Sequence, residues 1–161
     1  PQVENGLTAV AALHTLGIAR EAIEAGIAET RWPGRLERIS SRPEIILDGA
    51  HNPAGARALV SYIRRFYGGR KVTLIYGAMR DKAVAEMTAI LFPAADAVIV
   101  AAPGQERATR PETIRDLSDR PDIRMAGSVA EALDSVRNAR PDEVVFVTGS
   151  LFMVAEARRL L

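Results

Sequence analysis

Ile45-Ile46-Leu47-Asp48-Gly49-Ala50-His51-Asn52-Pro53 holds the order of residues that decides this fold. An apolar run stops at a carboxylate, and Gly49 permits a tight turn. Asn52 suits a helix N-cap, with Pro53 at the first helical position, where its missing N–H costs nothing. A buried strand therefore runs straight into a helix. The order returns in Leu74-Ile75-Tyr76-Gly77-Ala78-Met79-Arg80-Asp81-Lys82, where Asp81 can cap the helix that Lys82 enters. It returns again in Phe146-Val147-Thr148-Gly149-Ser150, with Ser150 as the cap of a helical pattern over 151–161.

Outward from these junctions the chain alternates strands and helices. Short Ile- and Val-rich runs lie at 44–47, 71–76, 97–101 and 143–147, with shorter candidates at 36–40 and 122–125. Between them Leu59, Ile63 and Phe66, then Val84, Met87 and Leu91, then Val129, Leu133 and Val136 recur at helical spacing. Such alternation predicts βαβ units, hence an α/β fold with a mainly parallel sheet covered by helices on both faces. The start of the chain is different. Val3, Leu7, Val10 and His14 share a helical face that Gly17 ends, and a short helix at 20–25 ends near Gly26. Arg31-Trp32-Pro33-Gly34-Arg35 then breaks the pattern. Two parts follow, 1–30 and 31–161.

Composition excludes several classes. The 161 residues are 48% hydrophobic and 25% charged, as in ordinary globular proteins. Apolar runs such as Val144-Val145-Phe146-Val147 are far too short to cross a bilayer, and no secretory signal is visible. Zero cysteines remove disulfides, thiolate nucleophiles and thiolate metal sites, and fit a reducing cytoplasm. The 19 arginines are dispersed among 20 acidic residues for a net charge of +1, so neither nucleic acid nor a membrane is the expected partner. A beginning at Pro1 rather than Met reads as a cut inside a longer protein. The chain has no G-x-x-x-x-G-K-[ST] and no G-x-G-x-x-G after its first strand; with only two histidines a His-based metal site is not expected.

In an open α/β sheet, ligands bind beyond the carboxyl ends of the strands. At the first of these ends Asp48 suits a ribose hydroxyl or a metal-bound water, and His51 suits an anionic or carbonyl oxygen. Equally, Asp48 suits a local backbone cap, with His51 an incidental loop residue. Lys82 offers a point charge to a carboxylate or phosphate, or is a solvated first-turn lysine. Ser150 heads a helix whose first N–H groups favour an anion, or is only a cap. Their joint occurrence on one predicted edge favours the functional readings. His14 is read as structural or exposed.

Trp32-Pro33-Gly34-Arg35-Leu36-Glu37, followed by Asp48-Gly49-Ala50-His51-Asn52-Pro53, resembles a signature of the folylpolyglutamate/dihydrofolate synthases of the Mur ligase superfamily. Gly77-Ala78-Met79-Arg80-Asp81-Lys82, Arg107-Ala108 and Thr148-Gly149-Ser150-Leu151-Phe152 extend the resemblance in order, and Gln2-Val3-Glu4-Asn5 resembles the helix that ends the family's central ATPase domain. Ala83 departs from it, standing where the family often has a second Asp. The resemblance implies a three-layer, Rossmann-like C-terminal domain. It also implies an upstream domain of the same protein carrying the P-loop, the Mg²⁺ ligands and most of the pterin site. In the family reaction ATP phosphorylates a carboxylate of dihydropteroate or of a folate glutamyl tail, and the amino group of L-glutamate attacks the acyl phosphate.

By that resemblance Arg35 reaches the ATP phosphates, Asp48 the nucleotide side, and His51 either ATP or glutamate. Lys82 and Ser150 hold glutamate carboxylates, and no metal ligand falls on this chain. Trp32 packs at the domain junction, and the protein is a cytoplasmic monomer, inactive without its P-loop domain. Two other readings compete: a non-catalytic nucleotide- or anion-binding module, and a Mur-type peptidoglycan amino-acid ligase domain.

Overall fold

A computed structural model describes residues 2–80 and 83–161. The chain forms two compact units, Pro1–Pro33 and Gly34–Leu161. The first is a pair of helices, α1 (Gln2–Thr15) and α2 (Arg20–Glu29). After α1, Gly17 N–H donates to His14 O (3.0 Å) and Ile18 N–H to Leu13 O (3.1 Å), the two bonds that close a helix C-terminus. The second helix outruns the expected end near Gly26. A glycine inside a helix costs only about 1 kcal/mol, and here the helix continues through Ile27 to Glu29.

The second unit contains β1 (Glu37–Ser41), β2 (Glu44–Leu47), α3 (Pro53–Tyr67), β3 (Lys71–Tyr76), α4 (Val84–Leu91), β4 (Ala97–Val100), α5 (Pro111–Asp116), β5 (Arg124–Met125), α6 (Val129–Asp134), β6 (Glu143–Thr148) and α7 (Leu151–Leu160). The sheet has six strands in the order β1-β2-β6-β3-β4-β5. All neighbours are parallel except β1, which pairs antiparallel with β2 at the edge. The last strand returns to lie between β2 and β3, so three strand-to-helix junctions stand side by side.

Strand side chains alternate between two cores. Ile46, Leu74, Val98, Val100, Val144 and Phe146 pack with α3, α4 and Ile114 of α5. Ile45, Leu47, Ile75, Ile99, Val145 and Val147 pack with α6 and α7 on the other face. This is the three-layer arrangement expected of strands apolar on both faces, and each fully buried Ile, Leu or Phe contributes about 1.5–3 kcal/mol.

At the amino ends of the strands, Glu44 gathers the Tyr67 hydroxyl (3.2 Å), Arg70 and Arg38 (3.6 Å), while Arg70 also donates to Glu143 O. Burial pushes the Glu44 carboxyl up, but the bonds from Arg70 and Tyr67 and the two guanidinium charges outweigh it and hold the group below 4.5. A depressed carboxylate stabilises the fold above its unfolded value and loses that stabilisation as pH falls through its folded one. Glu44→Gln should therefore flatten the acid side of the stability profile below 4.5. Thermal melts of the variant and wild type from neutral to acid pH check this, and parallel curves would refute it.

Candidate functional site

The carboxyl ends of the central strands are bonded to one another. Asp48 N–H donates to Val147 O (3.0 Å), Gly149 N–H to Ala50 O (3.1 Å), Gly77 N–H to Thr148 O (3.1 Å) and Ala101 N–H to Tyr76 O (3.0 Å). The turns after β2, β6 and β3 thus form one continuous edge.

Asp48 is buried, and both carboxylate oxygens have backbone partners. One accepts from Ala50 N–H within its own turn (3.0 Å), the other from Leu36 N–H twelve residues earlier (3.1 Å). Gly49 N–H donates to Gly34 O (2.7 Å). The segment Gly34-Arg35-Leu36 is therefore strapped onto the turn after β2, with Arg35 exposed between two bonded neighbours. Burial pushes the Asp48 carboxyl above its ordinary value; the bonds from Leu36 and Ala50 and the charge of Arg35 only partly oppose it. Leu36 and Gly34 both have left-handed backbone, at φ 49° and 73°. Such strain in a non-glycine residue persists only where its surroundings enforce it.

His51 is half-buried, and its Nδ1 lies 2.8 Å from Gly49 O. A carbonyl only accepts, so Nδ1 carries the hydrogen; Nε2 of the neutral ring then holds the lone pair, and it donates when the ring is protonated. Asn52 caps α3 by accepting from Gly55 N–H (2.8 Å), and Pro53 stands in its first turn. Ser150 is buried, and its hydroxyl accepts from Met153 N–H (3.0 Å) at the start of α7, leaving the hydroxyl hydrogen to donate.

Arg35, Asp48, His51 and Ser150 are accordingly brought together on one edge. Lys82 and Asp81 lie outside the described residues, and α4 opens after Ala83 with no side-chain cap. Trp32, in the first unit, is exposed. Two groups escaped sequence reading. Glu37 accepts from Gly34 N–H (2.8 Å) and pairs with Arg158 of α7 (3.0 Å). Arg80 donates to the carbonyls of Glu106 (2.7 Å) and Ala108 (3.3 Å), tying the loop after β3 to the loop after β4. Only the presence of Glu37 and Arg80 inside the recognised strings pointed to them.

A family model described as "Mur ligase, glutamate ligase domain" matches residues 34–151. The chain belongs to that family. It is 40% identical over 145 residues, 88% of its length, to a probable bifunctional folylpolyglutamate synthase/dihydropteroate synthase of Haloferax volcanii. It is 36% identical over 140 residues to the folylpolyglutamate synthase of Lacticaseibacillus casei. The chain spans 17% of the first relative and 32% of the second.

Among solved structures, the Escherichia coli FolC protein in complex with DHPP and ADP superposes with a TM-score of 0.89 at 30% identity, over 97% of this chain and 38% of that one. A bifunctional folylpolyglutamate synthase/dihydrofolate synthase with Mn, AMPPNP and L-glutamate bound gives 0.80 at 30% identity, over 88% of this chain and 34% of that one. Among the described residues no helix is long and apolar enough to cross a membrane.

Proposed function

We propose that this glutamate ligase domain forms half of an ATP-dependent active site that joins L-glutamate to dihydropteroate, to folate glutamyl tails, or to both. The observation that carries the reading is the strap. Gly49 N–H to Gly34 O and Leu36 N–H to Asp48 set exposed Arg35 beside the His51 turn, and Gly149 N–H to Ala50 O joins that turn to Ser150. Relatives and neighbours along nearly the whole chain are folylpolyglutamate or dihydrofolate synthases, and the neighbours include complexes with ADP, AMPPNP, Mn and L-glutamate.

In this reading the acceptor carboxylate takes the γ-phosphoryl group of ATP, releasing ADP. The glutamate nitrogen then attacks the acyl carbon, loses a proton and expels phosphate. Arg35 supplies a fork of donors to phosphate oxygens, which it holds better than a flexible cation would. Asp48 holds the Arg35 segment on the nucleotide side. His51 meets ATP or glutamate through Nε2, and Lys82 with the Ser150 hydroxyl hydrogen holds glutamate carboxylates.

Among the described residues no group of three or more His, Asp or Glu side chains is placed to hold a metal ion. Both Asp48 oxygens already accept backbone N–H groups. These residues do not fit Mg²⁺, which we assign to a P-loop domain of the same protein. Residues 1–30 are the helical tail of that domain, the hinge lies at 30–35, and the whole works in the cytoplasm as a monomer. Closure of one domain over the other keeps water from the acyl phosphate.

The test is glutamate-dependent ADP release by the chain joined to its P-loop domain, with dihydropteroate and tetrahydrofolate as competing acceptors. Turnover is expected with at least one acceptor and not by the chain alone. His51→Ala should lower kcat/KM about tenfold or more without shifting the melting temperature appreciably. Turnover only with UDP-linked muramyl substrates would overturn the folate assignment.

A further inference from the structure

We propose that Glu37 is a positioning residue: its carboxylate, anchored by Arg158, fixes the Gly34 amide and so sets the direction in which Arg35 leaves its turn. The inference rests on the reading of Arg35 as the phosphate-contacting group.

Three elements hold the turn. The junction after β2 takes Gly34 O and Leu36 N–H, through Gly49 N–H (2.7 Å) and Asp48 (3.1 Å). The α7 helix packs so closely that a Cβ on Gly34 would stand 2.8 Å from Val154 Cγ1. Glu37 closes the third side, one oxygen accepting from Gly34 N–H at 2.8 Å and the other meeting Arg158 Nε at 3.0 Å.

Remove Glu37 and the turn keeps Gly34 O and Leu36 N–H, but the peptide plane before Gly34 loses its bond. Arg35 follows two atoms-worth of backbone later, inside a segment whose left-handed residues, Gly34 and Leu36, have few alternatives that preserve its aim. A long side chain magnifies any change in its own backbone, and a group displaced by about 1 Å from a reacting centre loses on the order of 100-fold in rate.

The pair does not serve mainly to stabilise the fold. The Arg158 side chain is 50% exposed and that of Glu37 21%, so as an ion pair it contributes little stability. The bond to the Gly34 amide is the part with consequences. Arg158 sits on α7, the helix that Ser150 caps, so the same helix that begins at the carboxyl edge also fixes the direction of Arg35 from near its far end.

The experiment uses the complete ligase with its P-loop domain and measures kcat and KM for ATP and for glutamate. Glu37→Ala should lower kcat/KM for ATP about five- to tenfold, with KM for glutamate changed less than about twofold. Arg158→Met should shift it the same way, and Arg158→Lys should restore most of the loss. Melting temperatures of the two Arg158 variants should stay within about 3 °C of wild type, and that of Glu37→Ala within about 6 °C, since it also leaves the buried Gly34 N–H without its acceptor.

The deciding measurement is made in an Arg35→Ala background. There Glu37→Ala should cost no more than about twofold, because the group it aims is gone. An equal loss in both backgrounds would assign Glu37 a general structural role and overturn the inference, as would wild-type kinetics for Glu37→Ala. Full activity of Arg35→Ala alone would overturn the phosphate reading of Arg35, and this inference with it.

Discussion

Asp48→Ala in the complete ligase should lower ligation by about 100-fold or more, and should also lower the stability of the domain by about 2–4 kcal/mol. Both losses have one origin. The carboxylate accepts Ala50 N–H at 3.0 Å and Leu36 N–H at 3.1 Å, so its removal leaves two donors without acceptors and frees the Leu36 end of the segment that carries Arg35. Asp48→Asn separates the two effects. One amide oxygen can serve one of the N–H groups, but the NH₂ end meets the other donor with a donor, so stability falls less while the strap, still held by Gly49 N–H to Gly34 O, is weakened rather than lost.

The pH dependence gives an independent check on Asp48. Burial, partly opposed by the two bonds and by Arg35, raises its carboxyl above 3.8. The folded state then binds the proton more tightly than the unfolded chain, so this group's contribution to stability improves as pH falls through its folded value towards 3.8. That is opposite in sign to Glu44, and Asp48→Asn should remove it. Denaturant titrations of wild type and Asp48→Asn across acid pH read the difference directly. Ligation within twofold of wild type by Asp48→Ala would refute the site; an unchanged pH slope in Asp48→Asn would refute the burial that disfavours the charged carboxylate.

Sequence pattern made the junctions legible because each was written in local chemistry. Apolar alternation, a strand-end glycine, and Asn52 or Ser150 before a helical pattern place β2, β6 and the starts of their helices within a residue of those observed. That Asp48, His51 and Ser150 share an edge followed from parallel βαβ connection alone. Other features had no local signature. The α5 helix has six residues and one buried apolar group, Ile114, too little for periodicity to register. Glu37 and Arg158 are 121 positions apart. Pattern indicated that Asp48 stands at a strand end; it could not indicate that an oxygen of its carboxylate is spent on the Leu36 amide. That detail moves Asp48 from a direct ligand towards a group that holds Arg35 in place.

Gly149→Ala should destabilise the domain by about 3–5 kcal/mol, lowering the melting temperature by roughly 10 °C. Gly149 has φ +107°, where a side chain is strained whatever the space around it. The space is also absent. A Cβ there would stand 2.6 Å from Gly77 O and 2.6 Å from the ring of Tyr76. Neither neighbour can retreat cheaply. Gly77 is fixed by its N–H bond to Thr148 O (3.1 Å), and the wholly buried Tyr76 ring stands edge-on to Phe92 at 5.4 Å. Relief must come from moving the turn itself, and Gly149 N–H is the bond that joins this turn to Ala50 beside His51 (3.1 Å). The same substitution should therefore cost activity before it costs folding at moderate temperature. Gly69→Ala is the matched control, since nothing lies within 4 Å of the added methyl and its backbone is not left-handed. It should melt at or slightly above wild type, by reducing the freedom of the unfolded chain. Calorimetry of the two variants side by side decides the matter: melting of Gly149→Ala within about 2 °C of wild type would mean that the three strand ends are not locked together as this edge requires.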